Sequence, residues 1–186
     1  MALPHYSEDA TQRKGKNFEP VQGNLFEVTL LPPAGVTAKD PLYLQHVKSI
    51  AGLDAMAPAI EALPQKYKFA ERSFASMPGT TSVDLTITFT MNLNDSNQAY
   101  LYKALREWYR LAYNPETGEM GLKKNYVGTI VVVQFNREGD IYRKVTFDDC
   151  FITSGVNLNA DLNYETADAV DLEVIWKCDT FSEELN

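Results

Sequence analysis

Val83-Asp84-Leu85-Thr86-Ile87-Thr88-Phe89-Thr90-Met91 is the stretch that decides the fold. Val83, Leu85, Ile87, Phe89 and Met91 alternate with Asp84, Thr86, Thr88 and Thr90. A period of two gives a strand with one apolar and one polar face. The composition agrees, because β-branched side chains pack well on a pleated surface. The period then changes. Asn94-Asp95-Ser96 supplies oxygens that accept from the free N–H groups of a first helical turn. Leu101, Leu105, Trp108 and Ala112 recur at spacings of four, three and four, one stripe of a helix. Asn114-Pro115-Glu116-Thr117-Gly118 stops that helix, since proline cannot donate to it and glycine permits positive φ. The rest of the chain reads as strand. The fold class expected is mainly β with one α-helix, the helix docked on an antiparallel β-sandwich or barrel.

Asn24 to Leu31 is a strand with Phe26, Val28 and Leu30 on one face, ended by Pro32-Pro33-Ala34-Gly35. Residues 1–19 are polar and aperiodic and read as a flexible N-terminal arm. Residues 36–64 alternate poorly. Leu42 to Ile50 is a candidate strand, and Gly52 to Pro64 is small, apolar and punctuated by proline. So long a segment in a compact domain is expected to be an extended contact loop. Tyr67 to Phe69 is a further candidate strand, and Met77-Pro78-Gly79 a turn. Beyond the helix, residues 114–124 are a polar loop. Val127 to Phe135 is apolar at nearly every position and predicts a strand buried on both faces. Asn136-Arg137-Glu138-Gly139-Asp140 is a hairpin connection to a return strand carrying Ile141, Val145 and Phe147. A second hairpin is expected from Val156 to Tyr164 and from Val170 to Cys178, with Asp, Asn and Glu on its outer face. The domain is thus expected over residues 20–178, with 179–186 an acidic C-terminal tail.

At 186 residues, one domain is the default. A net charge of −8 and a pI near 4.8 argue against a phosphate-binding surface. No apolar run is long enough for a membrane span, and residues 1–16 lack the apolar core of a signal peptide. Two cysteines, Cys150 and Cys178, are too few for a disulfide framework and are expected as small hydrophobes in a reducing cytoplasm. Neither His5 nor His46 has partners at metal-ligand spacing. There is no Gly-rich phosphate loop, no Cys-x-x-Cys and no nucleophile elbow. Asp148-Asp149 beside Cys150 would disfavour a thiolate and reads as a strand-end turn. Tyr100, Tyr102, Trp108, Tyr109 and Tyr113 recur at helical spacing, as core or interface aromatics do. No catalytic residue, metal site or cofactor is expected, and the chain is not read as an enzyme.

The order of these features carries a resemblance. Asn24-Leu25-Phe26-Glu27-Val28 opens the first strand after a polar arm. A Pro-rich loop and the long alternating strand follow. The helix carries Glu107-Trp108-Tyr109-Arg110-Leu111 and ends at Tyr113-Asn114-Pro115-Glu116-Thr117-Gly118. Then come Val145-Thr146-Phe147-Asp148-Asp149-Cys150-Phe151-Ile152-Thr153, Asp161-Leu162-Asn163-Tyr164 and a last strand ending at Trp176. Over about residues 17 to 178 this resembles the tail tube protein of contractile-tailed bacteriophages. The 52–64 segment and the N-terminal arm have no residue-by-residue match. The resemblance implies hexameric rings stacked into a hollow tube in the virion tail, assembled in the host bacterial cytoplasm. It implies sheath, tape measure, baseplate and tail terminator proteins as partners, with DNA passing through without specific binding and without membrane insertion. A related fold serves the tubes of type VI secretion and extracellular contractile injection systems.

Joining sheets between subunits removes exposed edges, which are otherwise a hazard, and heterologous contacts give both rings and filaments. A lumen lined by Asp, Asn, Thr and Glu would be hydrated and would repel phosphates. The lumen candidates are Asp84, Thr86, Thr88, Thr90, Asn157, Asn159, Asp161, Asn163, Asp171 and Glu173. The candidate inter-subunit or inter-ring contacts are Leu53, Met56, Pro58, Ile60 and Leu63. Alternatives are a tube subunit of a secretion or injection machine, which carries protein, and more distantly a monomeric β-barrel that binds a small apolar ligand.

Overall fold

The computed structural model describes residues 21–37, 42–43, 47–57, 60–76, 82–91, 101–157 and 170–186. The expected arm, the Asn94-Asp95-Ser96 cap, the turn at Met77-Pro78-Gly79, and the strand and turn expected over 158–168 lie outside these residues. So do Pro58, Asn159, Asp161 and Asn163.

The strands are β1 (Phe26–Leu31), β2 (Leu42–Tyr43), β3 (Val47–Ala51), β4 (Ala62–Tyr67), β5 (Ala70–Ala75), β6 (Val83–Thr90), β7 (Gly128–Phe135), β8 (Ile141–Ile152), β9 (Asp171–Cys178) and β10 (Thr180–Leu185). Helix α1 is Leu101–Ala112 and the single turn α2 is Lys123–Tyr126. One sheet runs β2-β1-β7-β8-β9-β6-β3, with β10 also paired to β8, and β4 and β5 form a separate two-stranded sheet. All of the described pairings are antiparallel.

The sheet folds over on itself because β8 belongs to both halves. Its first part pairs with β7 and β10, and Phe151 and Ile152 pair with β9. At the corner Gly128 faces Cys150 but Ile130 faces Phe147, so an extra residue is inserted at Asp148-Asp149. Asp149 takes φ of 55°, the left-handed conformation that lets a bulge turn a strand. The sequence reading of Asp148-Asp149 as a strand-end turn is therefore corrected: the strand continues through a bend.

The alternation in β6 is realised in full. Val83, Leu85, Ile87 and Phe89 are buried and form one core with Val28, Leu30, Ile130, Val132, Phe147, Val174 and Trp176. β7 departs from expectation. Only Ile130 and Val132 are buried, while Val131 and Val133 are half-buried on the other face. Their neighbours there are Thr29 and Glu27 on β1, and Thr146 and Lys144 on β8. Side chains within the sheet cover these valines in part, with no second layer over them among the described residues.

α1 buries Leu101, Ala104, Leu105 and Trp108. It closes the end of the sandwich where β1 stops and β7 starts. Trp108 donates from Nε1 to the Tyr126 carbonyl at 2.7 Å and meets Trp176 edge to face at 6.4 Å. The backbone at Gly128 passes beneath the Trp108 ring, and a Cβ there would lie 2.5 Å from Cζ2. The Asn-Pro-x-Thr-Gly corner ends the helix as read: Glu116 N–H donates to the Asn114 side chain, and Gly118 adopts positive φ. The stretch expected as an acidic tail is different. Thr180–Leu185 is strand β10, held to β8 by the Arg143–Glu183 and Lys144–Glu184 ion pairs.

Candidate functional site

The two polar strand faces chosen from sequence are brought together. β6 and β9 are neighbours in a register that sets Asp84 opposite Lys177, Thr88 opposite Glu173 and Thr90 opposite Asp171. β3 extends this face, with Ser49 opposite Thr88 and Ala51 opposite Thr86. The period of two explains it: burying Val83, Leu85, Ile87 and Phe89 forces Asp84, Thr86, Thr88 and Thr90 outward.

Cations that sequence reasoning left out of the set also lie here. Lys177 Nζ donates to Asp84 at 2.9 Å, and Lys48 Nζ to Asp171 at 2.5 Å. Thr90 Oγ1 also donates to Asp171, at 3.0 Å. The Lys48 ammonium and the Thr90 hydroxyl hold the Asp171 carboxyl below the usual carboxylate range. Among the described residues the face is thus rich in hydroxyls, and Asp84 and Asp171 are each paired with a lysine. The lysines were findable in one case: Lys177 stands in phase with Asp171 and Glu173. Lys48 was not, because its strand alternates poorly and shifts register between Val47 and Ser49.

Asn157 does not join this face. It follows β8 in irregular chain, and Arg106 of α1 donates to its Oδ1 at 2.8 Å and to the Val156 carbonyl at 2.6 Å. Its observed role is to tie the helix down.

The expected contact residues divide in two. Leu53 and Met56 lie in a 3-10 turn, half-buried against the core. Gly52 makes that turn possible, with φ of 100° and a Cβ position 2.1 Å from the Asp84 carbonyl. Ile60 and Leu63 are exposed and lead into the β4–β5 hairpin. The hairpin pairs Leu63 with Phe74 and Tyr67 with Ala70, so Leu63, Tyr67 and Phe74 share one face. All twelve strand positions are exposed, and Phe69 in its turn is 92% exposed. Tyr67 to Phe69 is therefore a strand end and a turn, not a strand. The hairpin was hard to foresee, because Pro64 interrupts it and polar residues interleave the apolar ones on both faces. A cleft of about 570 Å³ lies between β1 and β3, lined by Phe26, Val28, Val47, Ile50 and Val132 among others.

No family model matches the sequence, and no curated protein is similar enough to be identified as a relative. Solved structures do match. The tube-terminating cap of the anti-feeding prophage covers 91% of this chain and 93% of its own, at 12% identity and a TM-score of 0.58. A chain of the sheath–tube complex of the extracellular contractile injection system PVC, in its extended state, covers 95% and 97%, at 12% identity and 0.56. The SPP1 tail tube covers 90% and 80%, at 12% identity and 0.51. The chain has the fold of the tube proteins of phage tails and contractile injection systems.

Proposed function

We propose that this chain is the structural subunit of the inner tube of a contractile phage tail. Copies join side by side into hexameric rings, rings stack, and the β3-β6-β9 face lines the bore. The observation that carries the reading is the β4–β5 hairpin. It presents Leu63, Tyr67, Phe69 and Phe74 to solvent on a fold of the tube type. A two-stranded hairpin is marginal in water by itself, and the natural cover is a neighbouring copy. Among the described residues β2 and β3 are the edges of the sheet, and edges call for the same cover. The proposed partners are a sheath outside, a tape measure within, a baseplate at one end and a terminator at the other. The role is structural and not enzymatic.

On a bore lined by Thr86, Thr88 and Thr90, the two lysines of this face among the described residues, Lys48 and Lys177, are each engaged by a carboxylate, which weakens their hold on DNA phosphates. DNA then slides. The pairing of Asp84 and Asp171 with lysines favours one second reading, a tube that carries protein in an injection system, because such a wall needs no strong repulsion for phosphate.

The test is assembly. Wild-type protein should form six-fold rings or hollow tubes by negative-stain microscopy, and Leu63→Asp with Phe74→Asp should leave folded monomers by light scattering. A wild-type chain that stays monomeric at high concentration, alone and with baseplate proteins, overturns the reading.

A further inference from the structure

We infer that Cys150 and Cys178 of one chain form a site for a cross-strand disulfide that staples the corner where β8 passes from one half of the sheet to the other. The inference does not depend on tube assembly. The register carries it. Ile152 faces Trp176 and Phe151 faces Lys177 on one side of the corner. On the other side Asp148 faces Thr180 and Phe147 faces Phe181, with the same offset. Between them Cys150 faces Cys178, and Asp149 faces Asp179, where the ladder is interrupted.

The class of pair follows as well. Thr153 N–H donates to the Ile175 carbonyl at 2.9 Å, which marks that position as hydrogen-bonded. Antiparallel positions alternate, so Cys150 and Cys178 fall at a non-hydrogen-bonded one. There Cα atoms approach to about 4.5 Å, inside the range a disulfide spans. Both side chains are buried in the same core, as free thiols. The contact with Cys178 and burial both push the Cys150 thiol above its ordinary range. The closed, folded dithiol is accordingly slow to react, and oxidation takes place when the corner opens or before it closes. The sequence reading of both cysteines as small hydrophobes describes the reduced state.

The oxidant is a small disulfide such as oxidised glutathione. A Cys178 thiolate attacks one glutathione sulfur, making a mixed disulfide and releasing one glutathione thiolate, which takes a proton. The Cys150 sulfur then attacks the Cys178 sulfur, the mixed disulfide breaks, and the second glutathione leaves. Two protein thiols and one oxidised glutathione become one protein disulfide and two reduced glutathiones.

The full chain is refolded in a glutathione redox buffer, quenched with an alkylating agent under denaturing conditions, and weighed. The expected product has lost two hydrogens, takes up no alkyl group, and yields one cross-linked peptide joining Cys150 to Cys178. Its thermal midpoint should lie roughly 5 to 10 °C above that of the same sample in dithiothreitol, with no such shift in Cys178→Ala. Two alkylated thiols after refolding, links only between chains on a non-reducing gel, or a stable glutathione adduct would each overturn the inference. The mass measurement needs no variant, so it stands even if Cys178→Ala folds poorly.

Discussion

Trp108 and Trp176 meet in the core but differ in one atom's fate. Trp108 Nε1 has the Tyr126 carbonyl, while Trp176 Nε1 is buried with no hydrogen-bond partner among the described residues. Replacement by phenylalanine removes similar ring volume at both sites. At Trp108 it also removes a satisfied hydrogen bond, and at Trp176 an unsatisfied donor. Trp108→Phe should therefore cost about 1–2 kcal/mol more than Trp176→Phe in urea unfolding. Equal costs would show that the Trp176 N–H finds a partner. Gly128→Ala sets a methyl against the Trp108 ring and the Leu31 carbonyl and should cost about 1–3 kcal/mol by the same assay. Asp149 sits at φ of 55°. Asp149→Gly should be neutral or stabilising by up to about 1 kcal/mol, and Asp149→Val should destabilise by about 1–2 kcal/mol. None of this was legible in the sequence. Two tryptophans look alike in a periodic pattern, and positive φ at an aspartate leaves no compositional mark.

At the scale of elements, the strands that face core on one side and water on the other were the legible ones. β6 and β9 read correctly because their alternation is unbroken. α1 read correctly because Leu101, Leu105 and Trp108 keep a helical period up to a proline stop. β7 misled because a run of valines looks the same whether its second face meets a layer or only its neighbours' side chains. β10 misled because Glu183 and Glu184 look like tail until Arg143 and Lys144 stand opposite them. Asp171 joins three elements: β9 by its backbone, β6 through Thr90 and β3 through Lys48. Its folded pKa is depressed, so its contribution is present above the unfolded value of about 3.9 and is lost as pH falls through the folded value. Acid unfolding followed below about pH 4 should be shallower in Asp171→Asn than in wild type. Lys123, paired with Asp179, has its pKa raised, so its contribution is lost only as pH rises above about 10.4.

At the scale of the molecule, the resemblance of feature order reached the tube fold. Of the residues expected as contacts, Leu53 and Met56 pack half-buried against the core of their own chain, and the hairpin at Leu63 lacked a clean period. The polar face was legible as a face, but its ion pairs were not, since Lys48 meets Asp171 and Lys177 meets Asp84 only because of which strand lies beside which. If that face lines a bore, Thr88→Cys should react with small maleimides in free subunits and in assembled tubes. It should be protected from a large polymer-linked maleimide only in tubes. Equal labelling by the large reagent in both states would put β6 on the outside. The topology also governs the order of events as the chain folds. Thr29 must wait for Val131 and Leu85 for Trp176, so core closure depends on distant partners and should take milliseconds to seconds. The β4–β5 hairpin needs only its own neighbours and closes in microseconds. A marginal but sticky hairpin is thus sampled before there is a subunit to carry it. Refolding yield should fall as chain concentration rises, and Leu63→Asp with Phe74→Asp should restore it.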